Sequence, residues 1–117
     1  MGRSLGSNKL KIRINNRNIQ IDKDDICYCQ AERGYSRLFL ISGESYLLPK
    51  TLNGLEKQLT ETYFLRCHRS YLVNLNEITS VDMERRTVYQ KLYQIPVSHR
   101  KIVDLFCKRY ACKINEK

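Results

Sequence analysis

The chain of 117 residues carries 21 Lys and Arg against 12 Asp and Glu, a net charge of +9 with a pI near 9.5. Its length suits one domain with a buried core, and no apolar run approaches the roughly 20 residues of a membrane span. No GxGxxG follows a strand pattern, no GxxxxGK or HExxH occurs, and the two histidines lack clustered carboxylates, so the expectation is a non-enzyme without cofactor.

The opening MGRSLGS is small, polar and aperiodic, and residues 1–8 are expected to be a tag or loose tail. No charged-then-apolar leader is evident, which suggests a cytoplasmic protein. In KLKIRIN, Leu10, Ile12 and Ile14 alternate with basic residues, the period of a half-buried strand; NNRN turns it and IQI returns as its partner. Asp22 to Asp25 form an acidic, turn-prone link. DICYCQAE and YSRLFLIS read as two strands joined around ERG, where Gly34 supplies the tight turn, and GES turns the chain into YLLP.

Thr51 is placed as the N-cap of a short helix whose Leu52, Leu55 and Leu59 form one apolar stripe. The stretch Arg66 to Arg69 is expected to be an exposed loop, followed by strand-like SYLVNL, ITSVDM, TVYQ and YQIPV, with ERR as a hairpin turn. Pro96 places the last strand at a sheet edge or strand end. Ser98 can cap a closing helix to about Tyr110, with Ile102, Leu105, Phe106 and Tyr110 on its buried face. The fold class is therefore mainly β, with two short packing helices.

Five cysteines, at 27, 29, 67, 107 and 112, include no CxxC pair, so reduced thiols are favoured over structural zinc and no metal is expected. The two-residue step from Cys27 to Cys29 in a strand points both thiols to one face. Cys67, flanked by Arg66, His68 and Arg69, is expected to have a lowered thiol pKa.

Charge narrows the function. From residue 62 onward, eleven basic residues face five acidic ones, a surplus of six, which favours a polyanionic partner: nucleic acid ahead of an anionic membrane surface. Three basic clusters carry that reading. Arg66, His68 and Arg69 repel one another unless an anion neutralises them, although His68 taken alone reads first as a structural histidine bonding a backbone carbonyl. His99, Arg100 and Lys101 sit in the first turn of the closing helix, the wrong end for cations unless a phosphate docks there. Tyr35, Ser36 and Arg37 stand at or just past a hairpin tip, able to reach into a groove or to be plain surface.

FLRCHRSYLVNLNEITSVD closely resembles the signature of LytTR-type DNA-binding domains: phenylalanine, arginine and histidine, then arginine or asparagine, Ser, an aromatic and VN. DICYCQAERGYSRLFL resembles that family's earlier strand pair, LPKTLNGLEKQL its short helix, and YQIPVSHRKIVDL its closing strand and helix start. Together these cover about residues 10 to 110, and the domain is placed at 9–112, with 113–117 as a tail. The resemblance implies an elongated array of small antiparallel β-sheets that binds double-stranded DNA through loops in successive major grooves, with an intervening minor-groove contact. It places the hairpin contact on Ser36 and Arg37, the middle contact on Arg69 with Ser70 beside it, and the last on Arg100 with Lys101 as a phosphate partner. His99 falls in the same turn. Arg66 and His68 match the motif as contacts or as braces of the loop, while Asn74 is expected to bond the turn backbone.

Some family members have a histidine where Ser36 stands, which would shift the base contact to Arg37. Cys67 matches a cysteine that senses redox state in at least one relative, but Ile95 stands where a partner thiol is wanted. The resemblance further implies a bacterial transcription regulator, or its DNA-binding domain, that binds paired direct repeats as a dimer on DNA. An upstream receiver domain of a two-component system would lie elsewhere. Two rivals stay open: a basic RNA-binding module using Tyr28, Tyr35, Tyr46 or Tyr93 for stacking, and a protein-interaction domain with incidental charge.

Overall fold

The structure, a computed structural model, describes residues 8–59 and 63–98. Ten strands, one α-helix and two single 3-10 turns make up the described chain. β1 (Lys9–Ile14) and β2 (Arg17–Asp22) form the first antiparallel hairpin. Its turn residues Asn15 and Asn16 have φ of 51° and 64°, a left-handed conformation that asparagine tolerates better than most residues. β3 (Ile26–Glu32), β4 (Tyr35–Leu40), β5 (Ser45–Leu48), β6 (Phe64–His68) and β7 (Tyr71–Asn74) form a five-stranded sheet in the order β5-β4-β3-β7-β6. β8 (Ile78–Asp82), β9 (Thr87–Gln90) and β10 (Gln94–Pro96) form a third sheet in the order β10-β9-β8. All the pairings are antiparallel, and Pro96 ends the edge strand β10.

Helix α1 (Leu52–Leu59) begins where Thr51 predicts. Thr51 Oγ1 accepts the Gly54 N–H at 3.2 Å, and Leu52, Leu55 and Leu59 are buried. The closing helix expected from Ser98, with Ile102, Leu105, Phe106 and Tyr110, lies outside the described residues.

The five-stranded sheet is covered on both faces. On one face, Ile26, Cys29, Leu38, Leu40, Phe64 and Leu72 pack with the leucines of α1 and with Leu10, Ile12 and Ile21 of the first hairpin. On the other, Cys27, Tyr28, Cys67 and Val73 pack with Ile78, Val81, Val88 and Ile95 of the third sheet. A central strand with both faces buried reads as a continuous apolar run, as Leu72-Val73 shows. Buried amides tie the layers: Asn74 Nδ2 donates to the Ile26 carbonyl at 2.8 Å, and Gln90 Nε2 to the Cys27 carbonyl at 2.9 Å.

Two expectations are corrected here. Of the stretch Arg66 to Arg69, only Arg69 lies in a turn; Arg66 to His68 belong to the edge strand β6, whose backbone pairs with β7 from Phe64↔Asn74 to His68↔Tyr71. And Cys27 and Cys29 do not share a face. The pairing of β3 with β4 shifts register between Ile26 and Tyr28, and the extra residue sends Cys27 to one core and Cys29 to the other.

Candidate nucleic-acid interface

Register across the five-stranded sheet puts Leu47, Arg37, Gln30, Tyr71 and His68 in one row, one residue from each strand. Directly opposed residues share a face. Arg37 and His68 are therefore on the same side, three strand spacings or about 14 Å apart. The row lies next to one end of the sheet, where the Arg33–Gly34 turn of β3–β4 and the Arg69–Ser70 turn of β6–β7 meet. The Ala31 N–H donates to the Ser70 carbonyl at 2.9 Å, fixing these two turns against each other. The sheet thus gathers residues 37, 68, 69 and 70, which the sequence keeps about thirty positions apart.

Arg69 is exposed, and its side chain makes no hydrogen bond or ion pair within the described residues. Arg37 is half-buried, with Nε donating to Glu32 Oε1 at 2.9 Å and Nη1 reaching Ser45 Oγ at 3.4 Å. The guanidinium still borders solvent, so its ion pair with exposed Glu32 is weak.

Arg66 has a different role. Its Nε donates to the His68 carbonyl at 3.1 Å and its Nη2 to the Arg69 carbonyl at 2.6 Å. Nη1 donates to Asn53 Oδ1 at 2.9 Å and Glu56 Oε1 at 2.7 Å, both on α1. One guanidinium therefore clamps the β6–β7 turn to the helix.

His68 is half-buried, its ring edge-on to Tyr71 with centroids 5.1 Å apart. Its Nδ1 accepts the Ser70 N–H at 3.0 Å, which requires an unprotonated Nδ1. Burial, reinforced by the charges of Arg69 and Arg66, holds its pKa below the usual histidine value. At neutral pH, then, the ring is neutral and its proton sits on Nε2, a donor suited to a phosphate or base acceptor.

Ser36 is corrected most sharply. It does not project from the tip; it is fully buried, and its hydroxyl donates to the Lys50 carbonyl at 2.7 Å. Strand alternation turns Ser36, Leu38 and Leu40 to the core and Tyr35 and Arg37 to the other face. Cys67 is corrected too: it is fully buried, and burial pushes its thiol up to about 12 despite the opposing charge of Arg66. Among the described residues, no group of three or more potential metal ligands is present.

His99, Arg100 and Lys101 lie outside the described residues, but the chain leading to them is placed. The Ser98 N–H donates to the Cys67 carbonyl at 3.1 Å, and the Val97 N–H to the Arg86 carbonyl at 2.7 Å. Residues 97 and 98 thus bridge the β6 edge to the β8–β9 turn. That brings in Arg85 and Arg86, exposed turn residues that sequence reasoning treated only as a hairpin signal. Arg33, exposed at the β3–β4 tip with φ of 51°, was likewise passed over. The available signal in both cases was a basic residue inside a turn next to a cluster already singled out.

Residues 16–108 match the profile of the LytTr DNA-binding domain. The transcriptional regulatory protein YpdB of Escherichia coli is 30% identical over 68% of this chain and 34% of its own length. The sensory transduction protein LytT of Bacillus subtilis is 30% identical over 80% of this chain and 40% of its own. The chain thus spans between a third and two-fifths of these relatives. A solved LytTr DNA-binding domain from Bacillus cereus superposes with a TM-score of 0.69 at 21% identity, covering 88% of this chain and 96% of that one.

Proposed function

The chain belongs to the LytTr DNA-binding domain family, and from that membership we propose that residues 9–112 form one domain that binds double-stranded DNA sequence-specifically, as the reading part of a bacterial transcription regulator. The observation that carries the proposal is the convergence of Arg37, His68, Arg69 and Ser70 on one end of the five-stranded sheet, with the chain to His99, Arg100 and Lys101 leaving from the same edge. Side chains on tight turns anchored in a sheet can enter a groove without a recognition helix. Arg37, Arg69 and Arg100 are assigned to base edges; His68, Ser70, His99 and Lys101 to the phosphates that set register. Arg66 supports the site rather than contacting DNA.

Paired direct repeats, a dimer formed on DNA, a cytoplasmic location and a receiver domain elsewhere in the regulator complete the proposal. No catalytic role is assigned. Among the described residues no helix is long and apolar enough to cross a membrane. The RNA reading needs free aromatics, and of the four tyrosines named for it Tyr35 is the one that is exposed. Tyr28 is buried and stacked on Phe39 at 4.4 Å, and Tyr93 packs edge-on against both.

Selection of the protein on random duplex DNA, repeated at two salt concentrations, tests the proposal. Enrichment of a short motif in direct repeats is the expected result. Salt-sensitive binding with no enriched motif would reduce the site to a polyanion grip. Arg69→Ala and Arg100→Ala should each cost about 1–3 kcal/mol on the selected motif and relax preference at one base position.

A further inference from the structure

A groove of about 510 Å³ lies between the β1–β2 hairpin and the end of β5, away from the residues assigned above. Lys11, Arg13 and Lys50 are among its lining residues together with Ile12, Leu48 and Pro49, and no Asp or Glu is among the described residues that line it. The three cations have no carboxylate partner within the described residues: Arg13 reaches Asn18 Oδ1 at 3.4 Å, and Lys50 Nζ donates to Gln58 Oε1 at 2.7 Å, both neutral acceptors. Cations gathered without acids repel one another, and a polyanion relieves that repulsion.

The groove lies near the β3–β4 turn, where Leu48 pairs with Ser36, and on the opposite face of the sheet from Arg37. Its wall residue Lys50 holds, through its carbonyl, the hydroxyl of Ser36, the immediate neighbour of Arg37. Lys11 and Arg13 alternate on β1, so they stand about 6.8 Å apart on one face, a spacing comparable to that of successive phosphates along a DNA strand. The hairpin is anchored at its base by Lys23 N–H to the Asn8 carbonyl and by contacts of Asn8 with Asp22 and Asp24, which sets these cations on a fixed frame.

We propose that this groove is an additional DNA-backbone contact, in which Lys11, Arg13 and Lys50 grip phosphates flanking the sequence read by Arg37 and Arg69. The inference rests on the proposed DNA-binding function and extends its footprint. It assigns these residues to affinity and none to base choice.

The test compares the whole chain with a Lys11→Gln/Arg13→Gln/Lys50→Gln variant on two duplexes, one limited to the selected motif and one extended by about ten base pairs on each side. Glutamine removes the charge while keeping an aliphatic stem and a polar end, and circular dichroism of the variant establishes that it folds. On the extended duplex the variant should bind about tenfold or more weakly at low salt. Its plot of log affinity against log salt should be shallower by about two to three, near 0.9 per lost phosphate contact. Base preference and binding to the short duplex should be unchanged. A hydroxyl-radical footprint of the wild type, independent of any variant, should show protected backbone beyond the motif. Equal affinity of variant and wild type on the extended duplex, or an equal loss on both duplexes, overturns the inference while leaving the proposed function standing. Wild-type binding that is indifferent to sequence and salt on both duplexes removes the proposed function, and the inference with it.

Discussion

Arg66 holds the backbone of Arg69: its Nη2 donates to the Arg69 carbonyl at 2.6 Å while its Nη1 is anchored to Glu56 on α1 at 2.7 Å. A turn of two residues has few ways to fix its own orientation, so the arginine that points outward depends on the one that points inward. The buried stem of Arg66 adds packing against the helix. Arg66→Ala removes several charge-assisted hydrogen bonds and is expected to cost about 2–3 kcal/mol of unfolding free energy, read by urea denaturation. DNA affinity should fall for every sequence, with base preference retained. A changed preference at one base position with normal stability would instead make Arg66 a reader.

Ser36 is structural in the same sense. Removing its hydroxyl leaves the part-buried Lys50 carbonyl without that partner and the fully buried Ser36 site without its polar contact. Ser36→Ala should lower stability by about 1–2 kcal/mol and leave the selected DNA motif unchanged. Repeating the motif selection with this variant checks the second half of the statement; a new preferred base would show that Ser36 reaches DNA.

His68 makes stability depend on pH. Its folded-state pKa lies below its unfolded value, so the unfolded chain binds the extra proton first as pH falls. The contribution of neutral His68 is fully present above the unfolded value of about 6.5 and is lost as pH drops through the folded pKa. Thermal unfolding midpoints measured between pH 7.5 and 5 should therefore decline, and the decline should be smaller in His68→Gln. An identical slope in the two proteins would mean that other groups carry the effect.

The thiols should be inert while the protein is folded. Burial pushes Cys27 and Cys67 up to about 12, and Cys29 is raised further in the same way. The thiolate is the reactive form. Peptide mapping after brief iodoacetamide treatment at pH 8 should find these cysteines unmodified in the native protein and fully modified in guanidinium. Rapid native labelling of Cys67 would restore it as a candidate sensor.

Much of this protein was legible in its residues because the signals are local. Alternation in KLKIRIN, the turn chemistry of NNRN and ERG, and the Thr51 cap each depend on neighbours a few positions away, and each formed where expected. The order and spacing of the motif segments were enough to suggest the family, and the match over residues 16–108 bears it out. What alternation could not supply was register. One extra residue at Cys27 reverses the face of everything before it, and only pairing with β4 reveals it. The edge strand Phe64–His68 has no clean period because one face meets helix α1 and the other a third sheet. Which of two nearby basic or polar side chains turns outward was decided the same way: Ser36 is buried beside the half-buried Arg37, and Arg66 bonds inward while Arg69 is exposed. Composition determined that the protein carries excess positive charge, and local pattern determined its strands. The tertiary structure decided where that charge converges, because burial, register and hydrogen bonding of a side chain belong to its neighbours in space.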